Sequence, residues 1–154
     1  MGAVSEMRIR TVKPEMWTDE DMASISESAN LLAIGLLNYA DDYGYFNANE
    51  LLIKAAIFPL RDPSTTIRRM LDELSEIGYI QLFEGTDGRN YGHICGFEKH
   101  QRVDRAKDSK IKGLIHFDEQ STNDRRHDSV GTGNREQGTG KRLNLSIHVR
   151  IKKL

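Results

Sequence analysis

Residues 63–78 read Pro-Ser-Thr-Thr-Ile-Arg-Arg-Met-Leu-Asp-Glu-Leu-Ser-Glu-Ile-Gly, and the fold prediction starts from them. The apolar residues of this stretch recur at helical spacing and form a single stripe. The stripe consists of Ile67, Met70, Leu71, Leu74 and Ile77. This pattern predicts an amphipathic helix that Asp62 or Ser64 can cap and that Gly78 ends. Pro63 suits the first turn of such a helix.

The polar face of this predicted helix changes charge along its length. Its N-terminal half carries hydroxyls and cations, namely Thr65, Thr66, Arg68 and Arg69. Its C-terminal half carries the acids Asp72, Glu73 and Glu76. Since DNA is a polyanion, a helix of this kind would meet nucleic acid with its N-terminal half.

Two short runs rich in β-forming residues follow the helix, residues 79–84 and 91–97. Between them, Asp87-Gly88 is a strong hairpin-turn signal. The order of helix, strand, polar turn and strand is typical of a winged helix-turn-helix, with the turn as the wing. We therefore predict an α+β fold with a three-helix core and a β-hairpin wing.

The central helix of this core is predicted upstream. Residues 30–40 are apolar almost all round, as expected of a buried helix. Either Ser26 or Ser28 can cap it. Residues 19–26 before it are predicted to form a short helix or a turn.

The remaining helix is predicted at residues 50–57, with Asn47 or Asn49 as its cap and Pro59 closing it. Its buried face is predicted to consist of Leu51, Leu52 and Ala55. This helix and the one at residues 63–78 would form the helix-turn-helix, with the second as the recognition helix.

The N-terminal arm, residues 7–17, is extended in character. It contains the chain's only tryptophan, Trp17, which we expect to anchor the arm to the domain. The cations Arg8, Arg10 and Lys13 either touch phosphate or are solvated, and solvation is the commoner case.

Charge is distributed unevenly along the chain. Residues 1–98 carry 8 Lys/Arg against 16 Asp/Glu and residues 99–154 carry 14 against 7, so that −8 and +7 give the overall −1. A basic strip at residues 99–112 is placed to lie along a phosphate backbone, or is a solvated linker. Its cations are Lys99, Arg102, Arg105, Lys107, Lys110 and Lys112.

Other function classes find little support in the sequence. No apolar run approaches the roughly 20 residues that span a bilayer and no signal peptide is recognisable, so we expect a cytosolic protein. The lone Cys95 is expected to pack in a strand. Asp41-Asp42 precedes Gly44 and is typical of loop chemistry. No HExxH, P-loop or dinucleotide signature appears, so no enzyme, metal or cofactor is predicted.

Four ordered segments carry a family resemblance: residues 7–19, 36–44 (Leu-Leu-Asn-Tyr-Ala-Asp-Asp-Tyr-Gly), 52–59 and 97–102. Through them the chain resembles the N-terminal domain of phage and prophage replication proteins, which include replisome organisers and helicase-loader-like initiators. The resemblance covers about residues 7–115 and implies a winged helix-turn-helix that binds DNA near a replication origin. It also implies the host replicative helicase or its loader as a partner.

The predicted domain organisation follows. Residues 1–6 form a flexible leader, residues 7–117 the winged helix-turn-helix, and residues 118–154 a low-complexity basic tail that we expect to be disordered. Within the tail, residues 143–152 alternate at period two, like a strand without an evident partner.

The leading functional hypothesis is binding of double-stranded DNA in replication initiation. Thr65, Thr66, Arg68 and Arg69 would face the major groove, with Arg69 suited to bidentate contact with guanine. Arg89 would approach the minor groove or backbone from the wing, and the basic strip would contact phosphates. Two alternatives remain: a winged-helix protein-interaction module, and a transcriptional regulator of the same fold. Each function is compatible with a homo-oligomer.

Overall fold

The computed structural model describes residues 6–115. The predicted disorder of residues 118–154, the strand-like segment 143–152 and most of the leader 1–6 lie outside the described residues. The helices and strands, in chain order, are α1 (Glu20–Ser24), α2 (Glu27–Tyr39), β1 (Tyr45–Asn47), α3 (Glu50–Ile57), α4 (Ile67–Glu76), β2 (Ile80–Glu84), β3 (Asn90–Ile94) and α5 (Phe97–His100). The predicted α+β class is confirmed. Among these elements, no helix has both the length and the apolar character needed to cross a bilayer.

Helix α2 forms the centre of the core. Its N-cap is Ser26, whose hydroxyl accepts from the backbone N–H of Ala29. Leu32 and Leu36 are fully buried. Helix α3 packs closely against α2 at Gly35, where a Cβ atom would lie 2.5 Å from the Ile57 side chain.

Helix α3 has the predicted bounds, and of its two candidate caps Asn49 is the one used. Its predicted buried face is wrong, because Leu51 is 78% exposed and Leu52 49%. The core contact is made by Ile53, which is fully buried. The segment Leu-Leu-Ile-Lys-Ala-Ala-Ile is apolar on more than one side, so periodicity alone does not determine which side packs inward.

Helix α4 confirms the predicted apolar stripe, since Met70, Leu71 and Leu74 are buried. Its predicted start is wrong. The helix begins at Ile67, because Thr66 is the residue that caps it by accepting from the backbone N–H of Arg69 at 3.2 Å. Asp62, Pro63 and Ser64 therefore belong to the connection that precedes the helix.

The sheet is antiparallel, with the strand order β1-β3-β2. The strand β1 was not predicted, since three residues are too few for a periodic signal. It pairs Phe46 with Gly92, where a Cβ atom would meet the Phe46 ring at 2.2 Å. The glycine therefore leaves the space that this ring fills.

The predicted extension of the last strand to residue 97 is wrong. Strand β3 ends at Ile94, because Gly96 takes a positive φ of 69° and turns the chain into α5. Phe97 is consequently buried as the first residue of α5. Cys95 lies beyond the strand and is exposed, so its predicted packing within a strand is also wrong.

The N-terminal arm is held differently from the prediction. Trp17 is 69% exposed, and residues Pro14–Thr18 form a 3-10 helix rather than extended chain. The anchor is Arg10, whose guanidinium Nη2 donates to Oδ1 of Asp42 at 2.9 Å. A buried guanidinium thus holds the arm where a large apolar side chain was expected to do so.

Candidate nucleic-acid interface

The first turn of α4 presents the cations predicted to read DNA bases. Both Arg68 and Arg69 are exposed. The guanidinium Nε of Arg68 lies 3.5 Å from Oδ1 of Asp72 in an exposed pair one turn apart, a type worth only about 0.3–0.5 kcal/mol. Within residues 6–115, the Arg69 guanidinium makes no ion pair. Arg69 is therefore the cation of this turn that needs no release before binding.

The two threonines have different environments. The Thr66 hydroxyl already accepts the capping bond from Arg69, although it retains its own hydrogen as a donor. Thr65 lies before the helix and is half-buried. The predicted role of Thr66 as a base-reading group is thus combined with a capping role that the sequence analysis assigned to Asp62 or Ser64.

The turn between β2 and β3 is braced by one carboxylate. Asp87 accepts from the backbone N–H of Arg89 and from the Tyr91 hydroxyl. The hydroxyl bond lowers the pKa of Asp87 and raises that of Tyr91. Arg89 is exposed at this turn. This turn therefore presents one cation and one anion side by side.

Within the described residues, the backbone of the basic strip is anchored while its cations stay exposed. The backbone N–H of Lys107 donates to Oδ2 of Asp42 at 2.9 Å, and the Ser109 hydroxyl donates to Asp41. Further on, the carbonyl of Leu114 accepts from the backbone N–H of Thr86 at 2.9 Å. Residues 107–114 thus run from the Asp41-Asp42 pair to the turn that carries Arg89.

The cations of the strip differ in how they are engaged. Arg102 pairs with Asp104 at 3.5 Å, and Lys112 holds its amine 5.0 Å from the centre of the Tyr43 ring. Lys99 and Lys112 line the same groove of about 330 Å³. Apart from Arg102, no cation of the strip makes an ion pair with another described residue.

The role of Asp42 was not predicted, because the Asp41-Asp42 pair indicated only loop chemistry. Asp42 is only 9% exposed, and Arg8 and Arg10 reach one of its oxygens while Lys107 reaches the other. The hydrogen bond from Arg10 is the main reason that its pKa lies below the ordinary value. Arg10 is therefore a structural cation, so the phosphate and the solvated interpretations of it are both wrong. In the sequence, only the two adjacent acids at positions 41 and 42 pointed to this site.

Two other kinds of site are groupings of side chains that hold metal ions and grooves of the surface. Within residues 6–115, no group of three His, Cys, Asp or Glu side chains is placed to hold a metal ion. A groove of about 530 Å³ lies between the N-terminal arm and the end of β3, with Val12, Met16 and Ile94 among its lining. None of the residues predicted to contact DNA lines it.

Comparison with known proteins adds no assignment. No protein-family model matches the chain, and neither a curated protein nor a solved structure matches it. The resemblance to phage replication proteins thus stays a prediction.

Proposed function

We propose that this chain is a winged helix-turn-helix protein that binds double-stranded DNA in the cytoplasm during phage or prophage replication initiation. The observation that carries the proposal is the order of elements. Helix α2, strand β1, helices α3 and α4, and the hairpin of β2 and β3 follow one another, with β3 in the middle of the sheet. This is the arrangement in which a helix-turn-helix is flanked by a β-hairpin wing.

Helix α4 takes the role of recognition helix in this proposal. Its apolar side is buried against α2 and α3, which leaves Arg68 and Arg69 exposed at its N-terminal end. Recognition helices contact base edges with their N-terminal residues. A guanidinium can pair with O6 and N7 of guanine, and Arg69 is the candidate for this contact.

The basic strip supplies the phosphate contacts in this proposal. Its backbone is tied to Asp42 at Lys107, and two residues beyond the strip Leu114 accepts from Thr86 in the turn between β2 and β3, so the backbone that carries its cations is held in place before binding. A cation ordered in advance contributes more to affinity than one on a free tail, because less entropy is lost on association.

The net charge of −8 over residues 1–98 weighs against DNA binding but does not decide it. At physiological salt the Debye length is about 8 Å, so carboxylates on distant faces are largely screened from the duplex. The charges on α4, which would lie close to the duplex, therefore matter more than the net charge of residues 1–98. There, Arg69 is exposed at one end of the helix and Glu76 at the other.

The proposal is tested by binding of the purified chain to a preferred and a scrambled duplex, with the preferred site selected from random sequence. If Arg69 reads a base, Arg69→Ala loses about 1–3 kcal/mol on the preferred duplex and less on the scrambled one. Lys13→Ala is the control, because this exposed cation of the N-terminal arm affects neither duplex if it is solvated and weakens both alike if it touches phosphate. The ratio of the two affinities is therefore expected to stay at the wild-type value.

The opposing result is equally defined. If the wild-type chain binds no duplex even at about 50 mM salt, where phosphate contacts are strong, DNA binding is refuted. The acidic charge and the exposed leucines of α3 would then favour a winged-helix protein-interaction module of the replisome. Pull-down of fragmented genomic DNA separates the replication role from a transcriptional one by whether the enriched fragments lie at an origin or at promoters.

A further inference from the structure

Helix α3 exposes large apolar side chains that the fold leaves uncovered. Leu51 is 78% exposed and Leu52 49%. In the connection after the helix, Leu60 is 96% exposed. Single exposed leucines are ordinary on a protein surface, but adjacent ones on one helix are typical of an interaction site.

The exposed side of α3 forms a continuous strip. At 100° per residue, Ile53, Ala56 and Ile57 share the side that packs on the core. Leu51 and Ala55 then lie on the opposite side, one turn apart, with Leu52 at one flank. We call Leu51, Leu52 and Ala55 the α3 apolar strip.

The other flank of the strip carries two opposite charges. Lys54 lies on that flank, and the exposed Glu50 lies one turn before it and about 40° nearer to the core side. The Lys54 amine is 3.8 Å from Oδ1 of Asp62, in a pair whose side chains are 51% and 99% exposed. Exposed pairs of this kind are weak, so Lys54 is available to another carboxylate.

We propose that the α3 apolar strip is the interface of a homodimer in which two α3 helices pack antiparallel about a two-fold axis. Such an axis brings each flank of the helix against the same flank of its copy, in reversed direction. Leu51 then meets the partner's Ala55, and Leu52 meets the partner's Leu52. Glu50 meets the partner's Lys54, and the same contact occurs twice.

The charge pattern selects a second copy over other occupants. A partner with one dominant sign of charge would face a like charge at either Glu50 or Lys54. A second copy satisfies both, because an isologous interface pairs residue i with j and j with i. The proposal is independent of DNA binding, since it uses none of the residues assigned to DNA.

The size of the strip sets the expected strength. Helix α3 has 8 residues, which is about 12 Å of helix. Stable interfaces bury about 800 Å² per partner, more than one such helix provides. We therefore expect a dissociation constant in the micromolar range, with dimer and monomer in exchange.

Sedimentation velocity of the full chain without DNA, from about 1 to 200 µM, tests the dimer because this range brackets micromolar dissociation constants. The wild-type chain is expected to shift from monomer to dimer, and Leu51→Glu to raise the dissociation constant at least about tenfold. Ile9→Glu is the matched control, because Ile9 is 98% exposed on the N-terminal arm. A wild-type chain that stays monomeric, or a Leu51→Glu variant that dimerises unchanged, overturns the proposal.

Two charge reversals test the pairing itself. In Glu50→Lys the interface has two lysine pairs, and in Lys54→Glu it has two glutamate pairs, so each variant is expected to dimerise at least about tenfold more weakly. An equal mixture restores one opposite-charge contact at each end and is expected to form heterodimers near wild-type strength. A mixture that remains as monomeric as the separate variants overturns the antiparallel arrangement. Circular dichroism verifies that each variant retains the wild-type fold.

Discussion

Asp42 binds two segments that are far apart in sequence. Its Oδ1 accepts from Arg10 in the N-terminal arm and its Oδ2 from the backbone of Lys107 in the basic strip. The Arg10 side chain is 7% exposed, and it also donates to the carbonyls of Leu37 and Asp41. The carboxylate thus neutralises a cation that would otherwise be buried with carbonyl partners alone.

Asp42→Asn is therefore expected to destabilise the fold by about 3 kcal/mol, the lower end of the usual cost of leaving a buried charge unpaired. The carbonyls of Leu37 and Asp41 still serve Arg10, which is why the lower end applies. Asp72→Asn is the control, because Asp72 belongs to an exposed pair, and we expect its effect to stay within about 0.5 kcal/mol. Urea unfolding at pH 7 measures both, and equal effects would contradict the assignment.

The same carboxylate makes stability depend on pH with a defined sign. The pKa of Asp42 is lower in the folded chain than its ordinary value of 3.8. Its contribution to stability is therefore complete above the unfolded pKa and is lost as pH falls through the folded pKa. The difference in unfolding free energy between wild type and Asp42→Asn is expected to shrink below about pH 4. A difference that stays constant down to pH 2 would contradict this.

Helices α3 and α4 differ in where their leucines lie, buried in the core or exposed on the surface. Leu71 is 2% exposed on the inner stripe of α4, whereas Leu51 is 78% exposed on α3. Leu71→Ala is expected to cost roughly 2–5 kcal/mol. Leu51→Ala, measured at a concentration that keeps the chain monomeric, is expected to stay within about 0.5 kcal/mol. Thermal and urea unfolding compare the two, and similar costs would mean that the faces are assigned wrongly.

The same contrast explains what the sequence could predict. In α4 the apolar residues are confined to one side, so the stripe and its burial followed directly from their spacing. In α3 apolar residues lie on several sides, and only packing against Gly35 and the core selects Ile53. Strand β1 was too short to be recognised. Turn signals were reliable where glycine takes a positive φ, as at Gly78 and Gly88.

The candidate site was predictable as a set of residue types but not as an arrangement. The cations of α4 and of the basic strip could be identified from charge alone. That the strip is folded back onto Asp41 and Asp42 could not, since these hydrogen bonds join residues 65 and 68 positions apart. Neither spacing nor composition carries information about such distant pairs.

The basic strip is expected to set the strength with which the whole chain binds DNA without setting its preference for one sequence. Changing Lys107, Lys110 and Lys112 together to Gln is expected to weaken preferred and scrambled duplexes alike. The log–log salt dependence should become shallower by about 0.9 per lost phosphate contact. The anchor on Asp42 persists in this variant, because it uses the backbone of Lys107.

A salt series on both duplexes measures this slope, with Lys13→Gln on the N-terminal arm as a single-charge comparison whose slope changes by at most about 0.9. A triple variant that loses affinity for the preferred duplex alone would show that the strip reads sequence. A slope that does not change would show that these lysines do not neutralise phosphates.

The hydrogen bonds at both oxygens of Asp42 also couple the local unfolding of the N-terminal arm to that of the basic strip. Thr11 and Gln101 exchange two further hydrogen bonds between the same arm and the start of the strip. Detachment of the arm leaves Asp42 without its two cations and Gln101 without its two bonds to Thr11, so it weakens the contacts of both segments. The amides of Thr11 and Lys107 should therefore exchange with deuterium through one common opening, at a lower free energy than the amides inside α2 and α4.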